Sequence, residues 1–135
     1  MINYFVSYKK DEKDKFKNDL KLRIYNWSVR LVKYLRILSK QEKDEAVKTI
    51  VNQLLRSGTS IGANYIEAIG SPTKKDFRNF LAYSLKSCNE SKYWLSLMKD
   101  TGIDEGKEFN FLLDEAVEIS KILGKSVSTL YKEKK

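Results

Sequence analysis

Four stretches of this chain carry apolar side chains at alternating intervals of three and four residues, each for about six or seven helical turns. That period commits a segment to one buried helical face, and a single proline, Pro72, stands in the way of it anywhere in the 135 residues. In the first stretch, Lys17 to Lys40, the residues Leu20, Ile24, Trp27, Leu31, Leu35 and Leu38 fall within a sector of ~80° at 100° per residue. Val47, Ile50, Val51, Leu54, Ile61, Tyr65 and Ile69 mark a second helix reaching Gly70. Phe77, Phe80, Leu81, Ser84, Leu85, Cys88, Trp94, Leu95 and Met98 carry a third as far as Lys99, and Phe109 to Leu130 a fourth, between about Glu108 and Lys132. Between them lie the polar link SKQEKDE, a helix start at Ser71, Pro72, Thr73 and Asp76, and the exit turn TGIDEG. Helices of this length, ~37 Å at 1.5 Å per residue and joined by short links, predict an all-α, antiparallel up-down-up-down four-helix bundle. Residues 17–135 form this domain, and residues 1–16 are left as an N-terminal arm or helix extension.

Gly58 and Gly62 interrupt the second helix on paper, at a cost of roughly 1 kcal/mol each relative to alanine. Both nevertheless fall on the same helical face as Val51, Leu54 and Ile69, where the missing side chains let a neighbouring helix come close and packing recovers the loss. One unbroken helix is therefore expected from 47 to 70, with Arg56, Ser60, Asn64 and Glu67 together on the opposite side. Gly124 is expected to be a local weakness of the fourth helix.

Composition narrows the chemistry. With no histidine, the commonest general base near neutral pH is missing and the usual transition-metal clusters cannot be assembled. The lone cysteine, Cys88, lies inside an apolar stripe and reads as a buried small hydrophobe rather than a nucleophile. No stretch is as apolar as a membrane span, and MINYFVSYKKDEKDK lacks the basic-then-apolar order of a secretory signal, so a cytoplasmic chain is expected. The reading is of a non-enzyme, without metal or cofactor. Formal charge is +8 with a pI near 9.4, which suits either an acidic partner such as nucleic acid or simply a soluble basic surface. Most of that excess lies on the first helix, where seven cations stand against Asp19 and where Arg23, Arg30, Lys33 and Lys40 form a stripe expected to face solvent.

The run from Gln53 to Leu95, QLLRSGTSIGANYIEAIGSPTKKDFRNFLAYSLKSCNESKYWL, resembles a four-helix-bundle family first described from intervening sequences in bacterial 23S ribosomal RNA genes. The shared pattern is an Arg, then S-I-x-A-N-x-x-E-A, then K-K-[DE]-F-x-x-F-L, then a Glu in the third helix. Here it is carried by Arg56, Ser60, Ile61, Ala63, Asn64, Glu67, Ala68, Lys75, Asp76, Phe77, Phe80, Leu81 and Glu90. RIYNWSVRLV in the first helix is similar to the family's R-x-Y-x-x-[AS]-x-x-L-V opening, so the likeness covers about residues 20–130. Gly62 departs from it, standing where members often carry Pro or another small residue. The resemblance implies a basic bundle assembled as a ring-like homopentamer. One branch, the accessory variability determinants of diversity-generating retroelements, associates with a reverse transcriptase and its RNA or DNA.

Two groups of residues follow as candidates. Arg56, Ser60, Asn64, Glu67 and Glu90 would be costly to bury unpaired, so they are expected to satisfy one another or a sister subunit, with Glu90 the partner of Arg56. A catalytic or metal role for the Glu67 and Glu90 carboxylates is the weaker alternative, because no further acidic ligands or nucleophile accompany them. Arg23, Arg30, Lys33 and Lys40, with Lys74, Lys75 and Arg78 as a second cluster, are the expected contacts to RNA or DNA phosphates, made without reading sequence. Tyr25, Tyr34 and Tyr83 are candidates for stacking on single-stranded bases, though core or interface packing is the commoner use of rings at such spacings. A protein-binding adaptor docking onto a reverse transcriptase is the second reading of function, and a hydrolase or small-molecule binder the third.

Overall fold

A computed structural model of the chain describes residues 12–133. They form four helices: α1 (Glu12–Gln41), α2 (Glu45–Ile69), α3 (Lys74–Asp100) and α4 (Lys107–Glu133). α1 packs on α2, α2 on α3, α3 on α4 and α4 back on α1, with the diagonal pairs apart. Short links force each helix to run against its predecessor, giving the up-down-up-down bundle that the spacing of apolar residues predicts. α1 starts five residues earlier than the sequence periodicity marks, so only residues 1–11 of the expected arm remain, outside the described residues.

Three of the helix ends have a clear local cause. The Asp44 carboxylate accepts hydrogen bonds from the backbone N–H groups of Ala46 and Val47 to open α2, and the Thr73 hydroxyl accepts one from Asp76 to open α3. α3 closes on Gly102, at φ +75°, with Gly102 N–H donating to the Lys99 carbonyl and Ile103 N–H to that of Met98. Only glycine takes this left-handed position cheaply, and Ile103 folds back onto the core beyond it.

Trp27, Phe109, Leu31, Leu54, Ile61, Leu95, Met98, Leu112, Ile119 and Leu123 are wholly enclosed and fill the centre. α2 runs unbroken through both glycines. A Cβ on Gly58 would stand 2.2 Å from Leu31 Cδ2 and 3.4 Å from the Trp27 ring, while one on Gly62 would meet Ile24 Cγ2 at 3.3 Å, so α1 lies against the bare backbone of α2 as the face arithmetic requires. Between α2 and α3 the seam is made of small polar residues: Ser57 and Ser91 hydroxyls bond at 2.9 Å, and Ser84 donates to the Ile61 carbonyl at 2.7 Å. These bonds leave no buried hydroxyl unsatisfied while letting the two helices approach closely. Cys88 is buried, donates to the Ala116 carbonyl at 3.3 Å, and has its thiol pKa pushed up to about 12 by burial, against a small opposing pull from Lys92. It is a core residue held in the thiol form.

Candidate nucleic-acid interface

The expected basic stripe on α1 is divided by the structure. Arg23 lies on the flank facing α4, where its Nε and Nη2 donate to the two carboxylate oxygens of Glu115 at 2.7 Å each. Those bonds, more than their partial burial, set the direction of its pKa, which is raised. One turn pair further along, Arg30 donates from Nε and Nη2 to Glu108 at 3.0 and 2.6 Å and lies 3.4 Å above the Phe111 ring. Both arginines thus pair across the α1–α4 seam while their side chains stay about two-fifths exposed, so the stripe faces solvent but part of its charge is matched by Glu115 and Glu108. The physical reason is register: Arg23 and Arg30 are spaced seven residues apart, Glu108 and Glu115 likewise, and antiparallel helices bring them level in reverse order. Glu108 and Glu115 were missed as partners, although this matched spacing is visible in the sequence.

The predicted phosphate contacts that have no ion pair among the described residues lie towards the two ends of the molecule. Lys33, Arg36 and Lys40 are exposed on the C-terminal half of α1. Lys74 and Lys75 are exposed in the first turn of α3, at the opposite end of the bundle and on the diagonal helix. Arg78 stands beside them but half-buried, with its Nε enclosed and without a hydrogen-bond acceptor. The two predicted clusters are therefore not brought together into one patch.

On α2 and α3 the polar candidates fare differently from one another. The Arg56 guanidinium reaches Glu90 and also donates to Gln53 Oε1, at 3.2 Å from Nε and 3.0 Å from Nη2. The same Glu90 carboxylate accepts from Trp94 Nε1 at 2.9 Å, so it is held by two helices' side chains. Ser60 donates to the Arg56 carbonyl and Asn64 to the Ser60 carbonyl, both within their own helix. Glu67 is exposed, and its carboxylate has no partner among the described residues. It also stands eleven residues beyond Arg56, about 16 Å along the helix, so the Glu67 and Glu90 carboxylates do not converge. No three His, Cys, Asp or Glu residues gather to hold a metal ion among the described residues, and no helix is long and apolar enough to cross a membrane.

The three tyrosines separate as well. Tyr34 is half-buried and donates to Asp104 at 2.6 Å, with burial first and the Asp104 bond second raising its pKa. Tyr25 lines an apolar groove between α1 and α2 with Thr59, Ala63 and Ile66. Tyr83 is exposed, and Tyr93, which the spacing did not single out, is more exposed still.

Comparison with known proteins agrees with this architecture. A solved structure from Bacteroides thetaiotaomicron VPI-5482, described as a protein with unknown function from the S23 ribosomal protein family, is 33% identical. It superposes with a TM-score of 0.73 over 83% of this chain and 97% of its own. No curated protein matches the chain. The family model of the 23S rRNA-intervening sequence proteins matches residues 20–125. With that model spanning the helices, the α2–α3 motif and the Arg56–Glu90 pair alike, the chain belongs to the 23S rRNA-intervening sequence protein family.

Proposed function

We propose that this protein is a non-catalytic, basic homo-oligomer that binds RNA or DNA through phosphate contacts, without strong preference for sequence. The observation that carries this reading is the way charge is sorted. The well-placed carboxylates Glu90, Glu108 and Glu115 are used up on Arg56, Arg30 and Arg23. Lys33 and Lys40 on α1 and Lys74, Lys75 and Lys86 on α3 have no ion pair among the described residues. Lys74 and Lys75 even occupy the first turn of a helix, where the backbone dipole already presents positive charge and a cation is unfavourable by roughly 0.3–1 kcal/mol. A polyanion would turn that local repulsion into attraction. Among the described residues no catalytic set converges: the Cys88 thiol is buried and protonated and the two motif carboxylates stand apart, and the sequence has no histidine.

The test is a fluorescence titration of labelled DNA and RNA oligonucleotides at ~50 mM salt and upward. Binding should weaken linearly on a log–log plot against salt, and the charge reversals K33E/K40E and K74E/K75E should each flatten that slope by about two. Absence of any association at ~50 mM salt would reject the reading.

A further inference from the structure

The outer face of α3 has a composition that phosphate binding does not require. Lys75, Asn79, Tyr83, Lys86, Glu90 and Tyr93 recur at spacings of four, four, three, four and three, and so form one stripe along the helix. Tyr83 is 51% exposed and Tyr93 59%, and neither hydroxyl has a partner among the described residues. Each ring is nonetheless held in place from behind. Phe80 meets Tyr83 edge-on at 6.0 Å between centroids, and Trp94 meets Tyr93 edge-on at 5.0 Å. Trp94 is itself tied to Glu90, whose charge is matched by Arg56, so the acid in the stripe does not repel an anion. Lys86 lies between the two tyrosines, exposed and without an ion pair among the described residues. Ten residues of helix separate the rings by about 15 Å, the length of about four stacked nucleotides at 3.4 Å each.

We infer that this stripe is a stacking platform for single-stranded nucleic acid, with Tyr83 and Tyr93 receiving bases, Lys86 the phosphates between them and Lys75 a phosphate beyond Tyr83. The inference rests on the nucleic-acid reading above and adds a strand preference to it. A duplex hides the faces of its bases and can use only the lysines, whereas a single strand can splay its bases onto exposed rings irrespective of sequence. Of the three tyrosines singled out in the sequence, Tyr83 is the most exposed, at 51% against 36% for Tyr25, with Tyr34 bonded to Asp104, and Tyr93 joins it because the helix brings both to one side.

The experiment uses the full chain with a fluorescein-labelled oligothymidylate of about twenty nucleotides and a duplex of the same length. Tyr83→Leu with Tyr93→Leu should lower single-strand affinity by about tenfold or more and leave duplex affinity and its salt slope within about twofold, while the paired Phe variants should bind as the native protein does. In the native protein tryptophan fluorescence should fall in part on saturation with the single strand, through Trp94, because Trp27 is enclosed in the core; this readout does not depend on any variant folding. Unchanged single-strand affinity in the Leu variants, or an unquenched Trp94, overturns the platform while leaving phosphate binding intact. A drop in native mass of the Leu variants with single-strand affinity retained would make the stripe a contact between copies instead, and so also overturns it. Failure of the native protein to bind either probe overturns both this inference and the reading beneath it.

Discussion

Gly58 and Gly124 both sit in helix interiors, where each costs its helix about 1 kcal/mol relative to alanine, yet their replacement should move stability in opposite directions. A methyl group on Gly58 would meet Leu31 at 2.2 Å, and Leu31 is fully buried with the Trp27 ring beside it. Forcing a packed core apart costs about 1–3 kcal/mol, which offsets the gain in helix propensity and more. Gly58→Ala should therefore destabilise by about 1 kcal/mol and larger side chains by more. A Cβ on Gly124 meets nothing within 4 Å, and its backbone is not in the left-handed region. Gly124→Ala should stabilise by about 0.5–1 kcal/mol through the unfolded chain and the helix alike. Urea denaturation of the two variants decides the matter: equal shifts of the same sign would mean that α1 does not lie against the bare backbone of α2.

At the scale of the helices, α1 and α4 share the least packing of the four neighbouring pairs, and polar bonds do a larger part of holding them. Arg23–Glu115, Arg30–Glu108 and Tyr34–Asp104 are rungs along this seam, and Trp27 Nε1 adds a bond to the Leu112 carbonyl at 2.9 Å. Partial burial alone would raise the Asp104 pKa, but the Tyr34 hydroxyl and the backbone N–H groups of Gly106 and Glu105 outweigh it, so the net shift is downward. A carboxylate depressed in the folded state stabilises above its unfolded pKa near ~3.9 and loses that contribution as pH falls through the lower folded value. Tyr34→Phe should thus cost about 1 kcal/mol at neutral pH, with the difference from the native protein shrinking below about pH 4. Thermal melts at pH 7, 4 and 2.5 test this, and a gap that stayed constant would show that the bond is not coupled to Asp104 ionisation. The same seam shows where sequence reading stops. Four helices, their order and the close approach at Gly58 follow from a period of 3.6 and from which face lacks side chains. The pairings of Arg23, Arg30 and Tyr34 do not follow from one helix's period, because a flank position finds a partner only according to which helix lies next to it and in what register, and the matched spacing of Glu108 and Glu115 gains meaning only once α4 is set beside α1. Arg56–Glu90 was within reach because two motif residues of opposite charge had to be satisfied, whereas Tyr93 was hidden by lying outside the apolar rhythm that marks the core.

For the whole molecule, a chain of net charge +8 that assembles must overcome repulsion between its own copies, and this limits which surface can do it. The outer faces of α1 and α3 carry the unmatched lysines, and α4 commits acidic groups to the α1 seam. α2 is the exception, with only Glu45, Lys48, Arg56 and Glu67 charged in its 25 residues, so the two signs cancel. Its outward sides combine exposed Leu55 and Ala63 and half-buried Ile66 with the polar stripe of Ser60, Asn64 and Glu67. Copies that meet through α2 bury the least like charge. Salt should then act oppositely on the two proposed properties: screening favours self-association by weakening repulsion, and weakens nucleic-acid binding by reducing counterion release. Light scattering should give a mass that is a multiple of 15.8 kDa and is retained or increased between about 0.05 and 0.5 M salt, while oligonucleotide affinity falls over the same range. Glu67→Ala removes a carboxylate from the stripe and raises the charge of every copy, so it should shift the population toward the monomer while circular dichroism remains helical. A native protein that sediments as a 15.8 kDa monomer at every salt concentration would exclude assembly through this face, and with it the role given to Asn64 and Glu67.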